Sequence, residues 1–424
     1  MAVMSDDPAF DVIMAGAGMT GATAALALAS GGLRVALIDP QPFETQRAPE
    51  FDGRASAIAF SSFRALKTLG VGEALEAGAC RIEQIVVTDG RSPGAANGAP
   101  PPFHLRFAAA ELAGRGGGEH GGEPLGYMVE NRVIRSALAD AVARSAIVLM
   151  ARARVTEAGV AGPLAWVRLE DGRRLSAPLL VGAEGRRSLV REAAGIGVVG
   201  WDYRQTGLVA TVRHARPHEG VAYEHFLPGG PFAILPLTDD RASLVWTESN
   251  RRAEALKAAS DSAFEAHLRR RFGEFLGEAR VEGPRFAYPL GLQLAERWCG
   301  PRIALLGDAA HAIHPIAGQG LNLGLKDAAV LAEVVVEAAR VGEDIGALGV
   351  LERYARWRRF DTLALAAGTD LFTRLFANDN PLLRAARGAG MAAVNRTGPA
   401  RRFFMAEAGG AVGDLPRLLR GEAL

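Results

Sequence analysis

The chain has 424 residues, 49% of them hydrophobic, with 48 Lys and Arg against 47 Asp and Glu for a net charge of +1. That balance excludes the electrostatic footprint of a nucleic-acid-binding protein, and the length exceeds one typical domain, so two interwoven units are expected. The two cysteines, Cys80 and Cys299, make neither a disulfide framework nor a metal-ligand spacing, which points to a reducing, cytoplasmic setting.

The uncharged run at 12–33 is broken by Gly16, Gly18 and Gly21, and the acids Asp6, Asp7 and Asp11 precede it. It therefore reads neither as a membrane span nor as an export signal. Residues 11–15 read as a buried strand, followed by Gly16-Ala17-Gly18-Met19-Thr20-Gly21, a helix to Ser30, and a strand at 35–38 that ends in Asp39. This is G-x-G-x-x-G between strand and helix. The first glycine makes the tight turn, the second admits a pyrophosphate, and the third lets helix and strand pack closely. Asp39 lies 23 positions after Gly16, where a carboxylate accepts hydrogen bonds from an adenosine ribose.

Arg54 lies in 51–58, ahead of a helix at 61–69. It is placed to reach a pyrophosphate as a charged fork, or else to stand as a solvated surface arginine. A strand follows at 85–88. Between 90 and 126 the composition shifts to Gly, Pro and Ala, with strand-like alternation at 103–107. This predicts a mobile insertion, 93–123, at the start of a second unit. A helix is expected over 132–144, strands over 148–155 and 165–169 with a turn at 170–172, and a strand over 179–182 that ends at Glu184-Gly185. A short helix follows over 188–194. From 203 to 246 the pattern is mostly β, with strands at 208–212, 222–226, 232–236 and 243–247, then a helix over 264–275.

The stretch 302–327, RIALLGDAAHAIHPIAGQGLNLGLKD, carries the densest signal. An apolar strand at 303–306 ends in Gly307-Asp308. Two histidines, Pro315 and a glycine turn at 317–320 lead into a helix over 321–340. A carboxylate, a glycine turn and a helix N-terminus together suit an anion and a polyol. Beyond 340 the chain reads as helical. The arginine-rich stretches 353–359 and 384–402 are a solvated face or a contact for an anionic membrane surface.

One dinucleotide fingerprint plus a distant second carboxylate fits FAD better than NAD. The first motif would hold the ADP half. Asp308 would take the ribityl chain or the pyrophosphate side, and the helix start at 319–321 would face the flavin pyrimidine. His311 and His314 lack the further ligands of a metal site, so no metal is expected.

The chain resembles the flavin-dependent aromatic hydroxylases, and within them the ubiquinone-biosynthesis hydroxylases. Three segments match the family's FAD markers: 16–21; Gly182-Ala183-Glu184-Gly185-Arg186-Arg187-Ser188; and Gly307-Asp308-Ala309-Ala310-His311. The narrowest match is HPIAGQGLNLGLKD, 314–327; segments 203–205, 230–237 and 245–246 also resemble the subgroup. The match departs at Glu184 and Asp39, where the family more often has Asp and Glu respectively, and at the 93–123 insertion.

The resemblance implies an α/β protein: a Rossmann-like FAD-binding domain, an inserted β-rich substrate domain and a C-terminal helical region. The expected divisions are 1–83, 127–200 and 300–340 for FAD, 84–126 and 201–299 for substrate, and 341–424 for the helices. It implies FAD, reduced by NAD(P)H or an unidentified donor, with O2 as co-substrate. The cofactor contacts would be Gly16, Gly18, Met19, Thr20, Gly21, Asp39, Arg54, Glu184, Gly307, Asp308, Gly320, Leu321 and Asn322. Pro315, Gly318, Gln319 and Gly320 would position the flavin, with the substrate near 232–236. The sequence singles out no acid–base residue. The expected reaction is ring hydroxylation of a polyprenylated phenol or benzoquinol in ubiquinone biosynthesis. A biosynthetic complex and peripheral contact with the inner membrane are the expected associations. The alternatives are an FAD-dependent hydroxylase or reductase for another aromatic or isoprenoid, and a non-catalytic flavin-binding partner.

Overall fold

The computed structural model describes residues 9–48, 50–89, 104–113, 122–227, 229–376 and 413–424, with a few isolated positions between 387 and 410. The insertion expected at 93–123 and the arginine-rich stretch 384–402 lie largely outside these residues.

Two sheets organise the chain. The first has six strands in the order Cys299–Gly300, Ile303–Leu305, Leu179–Gly182, Val12–Ala15, Val35–Asp39, Val148–Ala151. All neighbours run parallel except the first pair. Val12, Ile13 and Met14 are fully buried, as expected of a parallel sheet covered on both faces. The helices Met19–Ser30, Asn131–Arg144 and Gly320–Arg340 share its core with a three-stranded meander, Val155–Ala161, Leu164–Leu169 and Arg174–Ala177. The single strand expected over 148–155 is therefore two. Arg152 between them adopts φ 58°, which ends one strand and redirects the chain into the meander.

The second sheet has eight strands: His311–Ala312, Ala279–Ala295, Val198–His214, Arg241–Ser249, Gly230–Leu237, Val221–Leu227, Gln84–Asp89 and His104–Ala108. Only Val221–Leu227 and Gln84–Asp89 pair in parallel. The 17-residue strand Ala279–Ala295 is not legible in the sequence. Gly283 and Pro284 break its alternation; in the structure they sit where the register slips opposite Val209 and Thr211, a bulge that tolerates both.

Helices Asn250–Ala258 and Asp261–Phe272 cover one face of this sheet around Phe232, Ile234, Trp246 and Phe264. The other face meets a small sheet of Ala55–Ala59, Gly126–Glu130 and Ala79–Ile82. Of the stretch 232–236 expected to face the substrate, Phe232 and Ile234 thus point into the helix-covered core. Alternation leaves Ala233 and Leu235 for the opposite face. The two sheets are also tied by backbone. His311 and Ala312, expected in the FAD unit, pair with Leu294 and Gln293 of the β-rich sheet. Helix Leu348–Phe376 follows, and Arg417–Arg420 packs near helix Phe60–Thr68.

Candidate active site

The glycine loop realises three different constraints. Gly16 has φ 101°, and a Cβ there would stand 2.5 Å from the Ala183 carbonyl oxygen. A Cβ on Gly21 would stand 2.0 Å from the Gly16 carbonyl oxygen, so helix and strand touch through hydrogen alone. Gly18, which precedes helix Met19–Ser30, has nothing within 4 Å of its Cβ position. That open side adjoins free helix N–H groups, which suits a pyrophosphate. Asp39 faces this loop. Its carboxylate accepts from the Ala17 N–H at 2.7 Å and the Gln41 N–H at 2.8 Å. Burial nonetheless raises its pKa above the ordinary value.

Thr20 joins the first motif to the last. Cβ atoms on Gly307 and Gly324 would lie 3.2 Å and 2.4 Å from its hydroxyl oxygen. Gly307, at φ 54°, turns the chain so that Asp308 projects with its side chain 55% exposed, 3.9 Å from the Arg186 guanidinium. The glycine fingerprint, Gly307-Asp308 and the start of helix Gly320–Arg340 are thus brought together.

The loop 315–322 is held at several points. Asn322 donates to the Ala57 carbonyl at 2.8 Å and accepts from the Ala59 N–H at 2.8 Å. Gly318, at φ 64°, would carry a Cβ 3.2 Å from that of Ala57. Ile316 packs with Phe226 of the β-rich sheet and with Phe376. Pro315 and Gly320 are exposed, while Gln319 and Leu321 are partly covered. Before the loop, His314 is fully buried. Its Nδ1 accepts from the Ile316 N–H, its Nε2 has no partner among the described residues, and burial pushes it down to about 4. It stays neutral in the fold and lies edge-on to Tyr203 at 5.0 Å.

Two candidate contacts are engaged within the protein. Arg54 forms a two-pronged pair with Asp52 at 2.8 and 2.9 Å and lies over the Tyr288 ring. Asp52 also receives Asn131, Arg135 and Tyr288. Glu184 accepts from the Ser188 hydroxyl and the Val190 N–H, at the start of its own helix. Its backbone, not its carboxylate, meets the glycine loop.

Sequence reasoning missed the support beneath Gly307. Asp327 is fully buried and accepts from His311 Nε2, from the Gly307 N–H at 3.1 Å and from Arg358 Nε at 2.9 Å. Burial opposes its charge, yet His311 and Arg358 hold its pKa below the ordinary value. The available signal was an Asp, seven residues from the helix start, followed directly by the apolar run Ala328–Ala332. Such a residue demands a partner.

A parallel nucleotide-binding sheet, a glycine loop with an answering carboxylate, and a second loop pressed against a β-rich wall define an FAD-dependent monooxygenase. The FAD binding domain family matches residues 9–359. The chain is 46% identical to the ubiquinone hydroxylase UbiL of Rhodospirillum rubrum, over 99% of this chain and 95% of that protein. It is 35% identical to the 3-demethoxyubiquinol 3-hydroxylase of Escherichia coli, over 94% and 98% respectively. The p-nitrophenol 4-monooxygenase PnpA of Pseudomonas putida has the same fold, with a TM-score of 0.76 at 19% identity over 95% of this chain and 98% of that one. The chain belongs to the family of FAD-dependent hydroxylases of ubiquinone biosynthesis.

Proposed function

We propose that this enzyme hydroxylates the aromatic ring of a polyprenylated phenol or benzoquinol intermediate of ubiquinone biosynthesis. The observation that carries this reading is the apolar cluster that Ile316, in the loop before helix Gly320–Arg340, shares with Phe226 of the β-rich sheet and Phe376. It sets a loop suited to a flavin against a largely apolar wall suited to a ring. The near full-length likeness to ubiquinone hydroxylases supports the substrate class.

Bound FAD, reduced by NAD(P)H or an unidentified donor, would supply activation of O2 and transfer of one oxygen atom. The chain does the rest. Gly16, Gly18, Met19, Thr20, Gly21 and Asp39 hold the ADP half; Arg54, fixed by Asp52, offers positive charge nearby. The turn at Glu184 shapes the loop's other side. Gly307 sets the direction of Asp308, which receives the ribityl hydroxyls or stands by the pyrophosphate. The N-terminal end of helix Gly320–Arg340, at Gly320, Leu321 and Asn322, presents its partial positive charge to the flavin pyrimidine. Pro315, Gly318 and Gln319 position the ring system, and the wall excludes water.

Asp308→Ala tests the second half of this site. It removes a charge-assisted hydrogen bond worth about 1.5–3 kcal/mol, so FAD affinity should fall at least about tenfold while thermal stability of the apoprotein holds. An unchanged flavin titration moves Asp308 out of the site.

The substrate's tail suggests where the enzyme works. Among the described residues no helix is long and apolar enough to cross a membrane. Helix Leu348–Phe376 nonetheless exposes Phe360, Leu363, Leu371 and Phe372, with Arg353, Arg356, Arg359 and Arg374 also exposed on it. That combination suits peripheral contact with an anionic bilayer. The gene is expected to restore ubiquinone in a strain lacking one ring hydroxylase, with part of the protein sedimenting with membranes. An expressed, FAD-loaded protein that rescues no ring position sinks the quinone assignment. A wholly soluble one removes the membrane contact.

A further inference from the structure

Glu224 lies on strand Val221–Leu227, where alternate side chains share a face. Its two neighbours on that face fix its direction. Ala222 packs in the cluster that contains Ala55 and Ala57, the strand that Asn322 and Gly318 touch. Phe226 lies in the cluster that contains Ile316 and Phe376. Glu224 therefore stands between a contact with the small sheet that holds the loop 315–322 and a cluster that includes Ile316 of the loop itself.

Directly across from it are Val87 and Ala233, and beyond Ala233 lies Val245. Val87, Glu224 and Val245 all keep accessible surface on interior strands of the eight-stranded sheet. Accessible surface in the middle of a sheet face with another unit packed on it lines a space between the two. Glu224 is the one ionisable side chain in that row. Its neighbour His225 points the other way, onto Thr88 and Phe232. The nearest charge on the same face of Gln84–Asp89 is Asp89, already paired with Arg387 at 3.1 Å.

The Glu224 carboxyl has no hydrogen-bond or ion-pair partner among the described residues, and burial pushes it up to about 8. A partnerless carboxyl in an apolar wall opposes folding and calls for another reason to be there. That basicity is also closer to a phenol, with a pKa near 10, than an ordinary glutamate is.

We propose that Glu224 receives the ring hydroxyl of the phenolic substrate and takes its proton as a carbon ortho or para to it is hydroxylated. This rests on the aromatic-substrate reading above. The proton passes from the phenol oxygen to the ionised form of Glu224 while ring electrons form the new C–O bond. The oxygen comes from O2, whose second atom leaves as water using the hydride donor's two electrons. Loss of the ring C–H proton restores aromaticity, and Glu224 returns its proton to the original oxygen.

The test uses the FAD-loaded enzyme, 2-prenylphenol and its methyl ether, which lacks the O–H. Binding is read from the perturbed flavin absorbance. Turnover is read by mixing photoreduced enzyme with O2, which needs no knowledge of the natural donor. Wild type should bind the phenol at least about tenfold tighter than the ether, and Glu224→Ala with equal FAD content should lose that preference. Glu224→Gln should still bind the phenol but form product at least about a hundredfold more slowly. Equal binding of phenol and ether by wild type overturns the proposal, as does a wild-type rate in Glu224→Gln. If wild type binds neither probe, the aromatic-substrate reading itself fails and takes this inference with it.

Discussion

Replacing Gly18 by valine should yield a folded protein that no longer holds FAD. The backbone there has φ −63° and ψ 176°, which any residue adopts, and no protein atom lies within 4 Å of a Cβ. The new Cβ therefore meets nothing of the chain itself. The side chain fills the side that the helix N-terminus offers to a pyrophosphate, so FAD affinity should fall at least about a hundredfold. The apoprotein's Tm should match that of wild-type apoprotein. The same change at Gly21 collides with the Gly16 carbonyl at 2.0 Å and should cost the fold as well. Undiminished flavin content in Gly18→Val, measured by absorbance after desalting, would place the pyrophosphate elsewhere.

Asp327→Ala has the largest expected effect on stability. It leaves Arg358, itself fully buried, without its main counter-charge, a loss of about 3–5 kcal/mol. It also frees the Gly307 N–H, so FAD should bind more weakly at the Asp308 turn. Adding Arg358→Met removes the stranded charge, and the double variant should recover part of the stability in denaturant unfolding. Equal losses in single and double variants would show that pairing is not the source. The pH dependence has a definite sign. The folded pKa of Asp327 lies below its ordinary value of 3.8. Its contribution is therefore complete above about 3.8 and is lost only as the pH falls through the lower, folded value.

The parts of the site legible in the sequence are those whose chemistry is local. Gly16, Gly18 and Gly21 meet their constraints within one strand–turn–helix, and Asp39 answers them one strand later. Gly307-Asp308 and the 314–327 stretch announce themselves by residue type and spacing. What stayed hidden depends on partners distant in the chain. Asp327 gains its meaning from Arg358, 31 residues on. Arg54 reads as a free cation until Asp52, Arg135 and Tyr288 are gathered around it. Glu224 looks like any polar residue in an alternating strand. Only register shows that its face is the one turned toward Ile316. Strand Ala279–Ala295 was concealed for a different reason: a bulge absorbs the glycine and proline that ordinarily argue against a strand.

The order of strands in the six-stranded sheet bears on how the protein is made. Its central strand, Val12–Ala15, is synthesised first, yet its neighbour Leu179–Gly182 and the next strand, Ile303–Leu305, come far later. The Ser61 N–H waits longer still, for the Gly409 carbonyl, and Arg64 for that of Arg420. A ribosome-bound chain thus carries an open apolar edge, first that of Val12–Ala15 and then that of Leu179–Gly182, until Ile303–Leu305 is made, and such edges invite pairing with other chains. Truncations near the C-terminus should accordingly give insoluble protein rather than a smaller working enzyme. High-yield production should depend more on chaperones and slow synthesis than on any change to the mature surface.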